Sequence, residues 1–395
     1  MEQTQTVRAT VVVLTVSIVL VALNLRPSMA AIGPILSAIR QDVPLTFSMA
    51  SLLTMLPVMA MGLAMFVGIG VAKAIGEHRA IVLSLVIITL ATGTRLFVDT
   101  GATLVFTAVL AGIGIAIVQA VMPAFIKARY APNVSLYMGL YVTSIMGGAA
   151  LAASFSPLVL EITGSWRLGL SIWAGLSALA LVVWMTQKTS ADSVVIGNSS
   201  QREKHFSNSR SWLLAIFFGL GTSSYTCVLA WLAPYYVEKG WTEQHAGLIL
   251  GLLTTMEVIS GLATPAIANK SHDRRKVLVV LLFLIIIGFA GLVVSPNKLS
   301  LLWPCLLGLG IGGLFPMSLI VSMDHIDSPM RAGGLAAFVQ GIGYLIAGLS
   351  PLLAGIVRDQ MSSFEWAWWS LAIISAVMLL MVFQFNPRHY SRHYI

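Results

Sequence analysis

Long apolar runs alternate with short polar connections along almost the whole chain. Each run has about the length that crosses a bilayer as a helix, roughly 20 residues. They fall near 10–38, 47–71, 79–98, 101–126, 134–160 and 166–186, then near 211–237, 243–268, 275–295, 299–322, 331–356 and 364–386. Twelve crossings are predicted, all helical, because a segment in lipid must satisfy its own backbone hydrogen bonds. The one long polar stretch, Gln187 to Arg210, is rich in Ser and Asn and carries Lys188, Arg202, Lys204 and Arg210, which reads as a flexible linker. The expected organisation is an all-α membrane protein with one six-helix bundle over 1–186, a cytoplasmic linker over 187–210 and a second bundle over 211–395.

The two sets of six resemble each other. Ser51-Leu-Leu-Thr-Met in the second run matches Gly251-Leu-Leu-Thr-Thr in the eighth. Gly112-Ile-Gly-Ile in the fourth matches Gly308-Leu-Gly-Ile in the tenth, with Pro123 and Pro316 following. Ser156-Pro157-Leu158 in the fifth matches Ser350-Pro351-Leu352 in the eleventh. Gly and Pro are common in membrane helices, but three matches in one order, six helices apart, indicate a parallel duplication. Two such halves related by an axis along the membrane normal imply solute binding between them near the midplane.

Composition agrees with the bilayer as solvent: 57% of residues are hydrophobic and 10% charged, the mean hydropathy is +0.89, and a soluble domain carries roughly 25% charge. The net charge of +8 does not point to nucleic acid, because the basic residues lie in short connections and form no recognition module. Their asymmetry sets topology instead. With the N-terminus inside, cytoplasmic segments hold sixteen of the 23 basic residues, while Arg40, Arg95, Arg167, Lys239, Lys298 and Arg358 lie outside or at helix ends. Both termini are therefore expected in the cytoplasm. The first run extends past Arg26 without a small-residue cleavage site, so it is expected to be a retained helix and not a signal peptide. Cys227 and Cys305 sit in separate apolar runs and suggest neither a disulfide framework nor a metal site.

Arg26 is the one basic residue the topology leaves unplaced, midway along the first run in Asn24-Leu-Arg26-Pro27. A lipid-facing guanidinium is costly, so it must face protein or a water-filled cavity. It is a permanent cation whose planar fork suits a small carboxylate-like anion, and a static interhelical ion pair is its alternative role. Pro27 removes a donor and disfavours helical geometry at Arg26, loosening the helix there. Glu257 is the acid placed deepest in the membrane, and it is a candidate proton carrier or a partner for Arg26. Asn24, Gln119 and Gln340 offer neutral donors and acceptors for a solute, and bridging between helices is the alternative for such side chains. Tyr225, Trp231 and Tyr344 add aromatic surface with a polar tip, and packing or interfacial anchoring is the alternative for them. Gly308-x-Gly-x-Gly-Gly lacks the strand of a dinucleotide-binding loop, which leaves close helix packing as its role. No ATP-binding loop, cofactor site or nucleophile–base set is legible, so a gradient must drive any transport and an enzyme is not expected.

Asn24-Leu-Arg-Pro with Gly33-Pro34, Gly114-Ile-Ala-Ile-Val-Gln119-Ala-Val-Met-Pro123 with Ile126-Lys127, Asp273-Arg-Arg-Lys276, and Phe338-Val-Gln340-Gly-Ile-Gly-Tyr344 with Pro351 resemble the cyanate permease branch of the major facilitator superfamily over essentially the whole chain. The resemblance implies the twelve-helix fold, a central cavity, a bacterial inner-membrane location, and cyanate, another small anion or a small nitrogen heterocycle as solute. The superfamily's Gly-x-x-x-Asp-Arg-x-Gly-Arg-Arg turn corresponds here to Gly68-Ile-Gly-Val-Ala72-Lys73-Ala-Ile-Gly76-Glu77-His78-Arg79, with Ala72 in place of the Asp. Lys73 and Arg79, with Asp273 and Arg274 in the second half, are the expected gate residues. The leading expectation is a monomeric secondary transporter of a small anion or polar solute. Drug or metabolite efflux is the second, favoured by Met-rich and aromatic walls, and a non-transporting solute sensor is the third.

Overall fold

The computed structural model describes residues 2–129, 134–187, 205–268, 273–326 and 329–390. Among the described residues, twelve segments are long and apolar enough to cross a membrane. The first is interrupted, running through α1 (Glu2–Leu23), α2 (Pro27–Ala30), a 3-10 turn at Gly33–Ile35 and α3 (Leu36–Asp42). Single helices make the next four: α4 (Phe47–Ile75), α5 (Glu77–Gly93), α6 (Gly101–Arg129) and α7 (Val134–Thr163). The sixth combines α8 (Trp166–Ser171) and α9 (Trp173–Met185). The second half follows with α10 (Ser209–Glu238), α11 (Glu243–Ala268), α12 (Arg275–Val294), α13 (Leu302–Met323), α14 (Pro329–Met361) and α15 (Glu365–Val382). Most of the linker, 188–204, lies outside the described residues.

The sequence repeat has a structural counterpart in how glycines let helices approach. A Cβ on Gly112 would strike Pro57 of α4, and one on Gly308 would strike Leu253 of α11. One turn face away, a Cβ on Gly114 would lie 2.8 Å from the Ser84 carbonyl of α5, and one on Gly310 would lie 2.8 Å from the Leu281 carbonyl of α12. The fourth and tenth crossings thus wedge between the second and third, and the eighth and ninth, through the same Gly-x-Gly. Small residues do this because helices in lipid associate by close packing and gain little from apolar burial.

Ion pairs of opposite polarity tie corresponding helix ends within each half. Glu77 at the start of α5 pairs with Arg129 at the end of α6 at 3.6 Å, and Arg274 before α12 pairs with Asp324 after α13 at 3.1 Å. These mark the end of the bundle that carries the linker, termed here the linker end. The halves join along α4 against α14 and α7 against α11, where Gly62 faces the Gly341 carbonyl and Gly247 faces the Ala153 carbonyl. At the far end, hydrogen bonds cross between the halves. Ala38 N–H donates to Glu243 Oε1 at 3.1 Å, while Phe47 N–H, Ser48 N–H and Ser48 Oγ–H donate to the Asp359 carboxylate at 3.1, 2.9 and 2.5 Å.

Candidate functional site

The interrupted first crossing presents the cation. After Leu23 the helix tightens, with Asn24 N–H and Leu25 N–H bonding to Val21 and Ala22 three residues back. Arg26 leaves helical geometry at φ −123° and ψ −24°, and Pro27 opens α2 as its first residue, the position where a missing N–H costs nothing. The expected loosening at Arg26–Pro27 is thus present as a full break. Behind it, the buried Arg95 donates through Nη1 to the Ser28 carbonyl at 2.8 Å and through Nε to Thr107 Oγ1 at 3.2 Å. The short α2 ends at Ala30, and Ile32 N–H bonds to Met29 and not to Ser28, so the end of α2 leaves the Ser28 carbonyl free and Arg95 occupies it. Sequence had set Arg95 at a helix end, yet its side chain is fully buried.

Arg26 is 4% exposed and aims into a cavity of about 260 Å³ between the halves. Its Nη1 meets only the soft sulfur of Met61 at 3.7 Å, its guanidinium lies 5.3 Å from the Tyr225 ring centroid, and Nε has no protein partner. No ion pair holds it among the described residues. Glu257 lines the same cavity from α11, is 3% exposed, and has no partner on either carboxylate oxygen. Its backbone is pressed against Gly312, where a Cβ would collide with the Glu257 Cα and carbonyl, so α13 fixes its place on the wall. A permanent Arg26–Glu257 bridge is absent in this arrangement.

Tyr225 and Tyr344 complete the set of expected site residues that converge here. The Tyr225 hydroxyl has no partner, and Tyr344 stacks edge-on to Phe218 at 5.6 Å. Sequence reasoning missed Thr222, whose hydroxyl is also unpartnered on this wall, and Met61. A Thr or Met inside an apolar run carries no sign of which way it faces. The remaining wall is apolar, including Met138, Met146 and Phe315. The lining occupies the middle of the helices and the half toward the linker end, as Met138–Met146 on α7 and Glu257–Leu262 on α11 show.

The other expected solute contacts lie elsewhere. Asn24 donates to the Leu20 and Leu176 carbonyls at 2.7 and 3.4 Å, fastening the first crossing to α9. Trp231 is at the far end, donating to the Pro351 carbonyl at 2.9 Å and packing on Phe47 and Phe364. Gln340 donates within its own helix to Ala336 at 3.4 Å, and neither it nor the half-buried Gln119 is part of the lining. Of the expected gate residues, Asp273 is held by Arg275 through a two-pronged bond at 2.9 and 2.7 Å, which keeps its carboxyl below the usual range. Arg274 pairs with Asp324 and donates to the Ala268 carbonyl. Arg79 is exposed at the start of α5, and the Lys73 side chain lies outside the described residues.

A profile of the Major Facilitator Superfamily matches residues 18–348 and 274–394. Among curated proteins, the cyanate transport protein CynX of Escherichia coli K12 is 34% identical over 380 residues, covering 96% of this chain and 98% of that one. The 2-nitroimidazole transporter of the same organism is 27% identical over 374 residues, covering 93% and 94%. Among solved structures, a D-xylose–proton symporter superposes with a TM-score of 0.77 at 12% identity, covering 95% of this chain and 98% of that one, which supports the fold. These are membrane transport proteins and not enzymes. The chain belongs to the Major Facilitator Superfamily, in its cyanate permease branch.

Proposed function

We propose that the protein is a monomeric secondary transporter of the bacterial inner membrane, with both termini cytoplasmic, that carries a small anion such as cyanate or a small polar nitrogen compound by alternating access. The observation that carries this reading is an unpaired buried guanidinium from one half and an unpaired buried carboxylate from the other, both on one cavity between the halves. Charges left open in a buried site are costly unless something answers them, and a solute does so. Arg26 holds the acceptor or anionic end of the solute, Tyr225 and Tyr344 flank it, and Glu257 carries the coupling proton. The names of the relatives support the solute class. Efflux of a larger apolar metabolite is a second reading, favoured by the methionine and phenylalanine walls, since thioether side chains repack around varied shapes.

The test is counterflow of cyanate and of 2-nitroimidazole in sealed vesicles containing the purified protein. Arg26→Gln should abolish flux with the melting temperature retained, and Arg26→Lys should be poor, because an ammonium lacks the planar fork. Full flux by the Gln variant overturns the role of Arg26.

A further inference from the structure

The transport reading leaves two solute chemistries open, and the polar groups on the cavity wall distinguish them. Arg26, Thr222, Tyr225 and Glu257 line the cavity and carry unused bonding capacity. Arg26 Nε is a donor without a partner, the Tyr225 and Thr222 hydroxyls can take either role, and both Glu257 oxygens lack partners. Arg26 comes from the first half and Glu257 from the second. A triatomic anion presents acceptors alone. It satisfies Arg26, brings a second negative charge into the cavity, and leaves the carboxylate unanswered. It also fills little of the space, since it takes up on the order of two water volumes, ~60 Å³, in a cavity of about 260 Å³. The same cavity is also lined by apolar side chains such as Met61, Phe218 and Phe315, which calls for an apolar body on the solute.

We infer that the solute carries an N–H donor and a hydrogen-bond acceptor on opposite edges of a small apolar body, and that Glu257 selects it by accepting from the N–H. This rests on the transport reading and narrows its substrate class to small amphoteric nitrogen compounds, with bare oxyanions disfavoured. Arg26 and the Tyr225 hydroxyl take the acceptor edge. Glu257 takes the donor edge, so the bound solute spans the two halves and answers both open charges at once. An N–H bonded to a carboxylate is charge-assisted and therefore among the stronger pairings available. Removing the hydrogen leaves the carboxylate buried and unmatched, which is where discrimination in such sites comes from.

The experiment measures dissociation constants of the detergent-purified full chain for 2-nitroimidazole, its N1-methyl derivative and cyanate, at a pH below the azole's own ionisation. In the parent protein, N-methylation should weaken binding on the order of tenfold or more, and cyanate should bind more weakly than the N–H azole. Glu257→Leu should bring the N–H and N-methyl compounds to within about twofold of each other, because the group that distinguishes them is gone. Glu257→Gln, which keeps an amide oxygen as acceptor, should retain part of the preference and shows that loss in the Leu variant is not misfolding. Equal binding of the N–H and N-methyl compounds by the parent, tighter binding of cyanate, or binding of none of the three overturns the inference. Vesicle flux separates it from the transport reading. An N–H azole that binds with the predicted preference and is not carried sinks transport alone, whereas flux of cyanate without the azole sinks the donor requirement and leaves transport standing.

Discussion

Asp359 caps a helix that belongs to the other half, and removing it should loosen the far end of the protein by a calculable amount. Its carboxylate accepts Phe47 N–H, Ser48 N–H and Ser48 Oγ–H at the start of the 29-residue α4. First-turn amides have no partner inside their own helix, and a negative charge there also meets the positive end of the helix dipole. Loss of an N-terminal cap costs about 0.5–2 kcal/mol. Asp359 is exposed, so water competes for it and a value near 1 kcal/mol is appropriate. The cap spans the halves, so that cost falls on the far-end-closed arrangement only. Asp359→Ala should then shift the closed-to-open ratio about fivefold toward open. Spin labels on cysteines replacing Thr100 and Lys298, exposed far-end positions in the two halves, report the separation by pulsed dipolar spectroscopy with Cys227 and Cys305 replaced by Ala. A growing long-distance population is expected. A distribution that matches the parent's would refute the argument and would place the far-end joint on the edge-on Trp231–Phe47 contact and the Arg358 guanidinium over Phe47 at 4.8 Å.

Two further outcomes are expected. A cysteine replacing Asn198 should react with impermeant thiol reagents only from the cytoplasmic side, and one replacing Asn297 only from outside. Labelling with the sides reversed inverts the proposed topology. Glu257→Gln should keep solute exchange between equally loaded compartments and lose accumulation driven by a pH gradient, because an amide carries no proton. A Gln variant that concentrates solute as well as the parent removes Glu257 from the coupling role.

The crossings were legible because lipid demands continuous apolar helices, and the predicted runs coincide with helices to within a few residues. The break at Arg26–Pro27 was legible too, since proline chemistry acts locally and needs no knowledge of the neighbours. Arg26 and Glu257 stood out because a charge at membrane depth admits few environments, and both line the cavity. Asn24, Gln119, Trp231 and Gln340 were harder to place. In a soluble helix the polar face announces the solvent, but here lipid and packed interior are both apolar, and the rotation of each helix leaves little trace in its pattern. Trp231 was placed with the solute and instead packs at the far end with Phe364. Arg95 was hidden for a different reason. Its acceptor, the Ser28 carbonyl, becomes available only because the first crossing breaks in three dimensions, and no side-chain pattern records a freed carbonyl.

The distribution of polar bonds also bears on how the proposed cycle can proceed at small cost. Within each half, the linker end is tied by an ion pair between adjacent helices, Glu77 with Arg129 and Arg274 with Asp324, and rocking one half against the other leaves both intact. Between the halves at the far end, the described bonds are carboxylates on backbone or hydroxyl donors, Glu243 on Ala38 and Asp359 on Phe47 and Ser48. When the halves part, water replaces each of these, so opening costs the modest net value of exposed or partly buried hydrogen bonds, about 0.5–1.5 kcal/mol each. The Arg26 and Glu257 contacts behave oppositely. They lie in a buried cavity where water is a poor substitute, and a solute that bonds to both joins the halves at the midplane while either end is free to open. A bundle tied by ion pairs inside each half, by water-replaceable hydrogen bonds between the halves at the far end and jointly through its solute has its alternation controlled at the cavity, which is where a transporter needs that control.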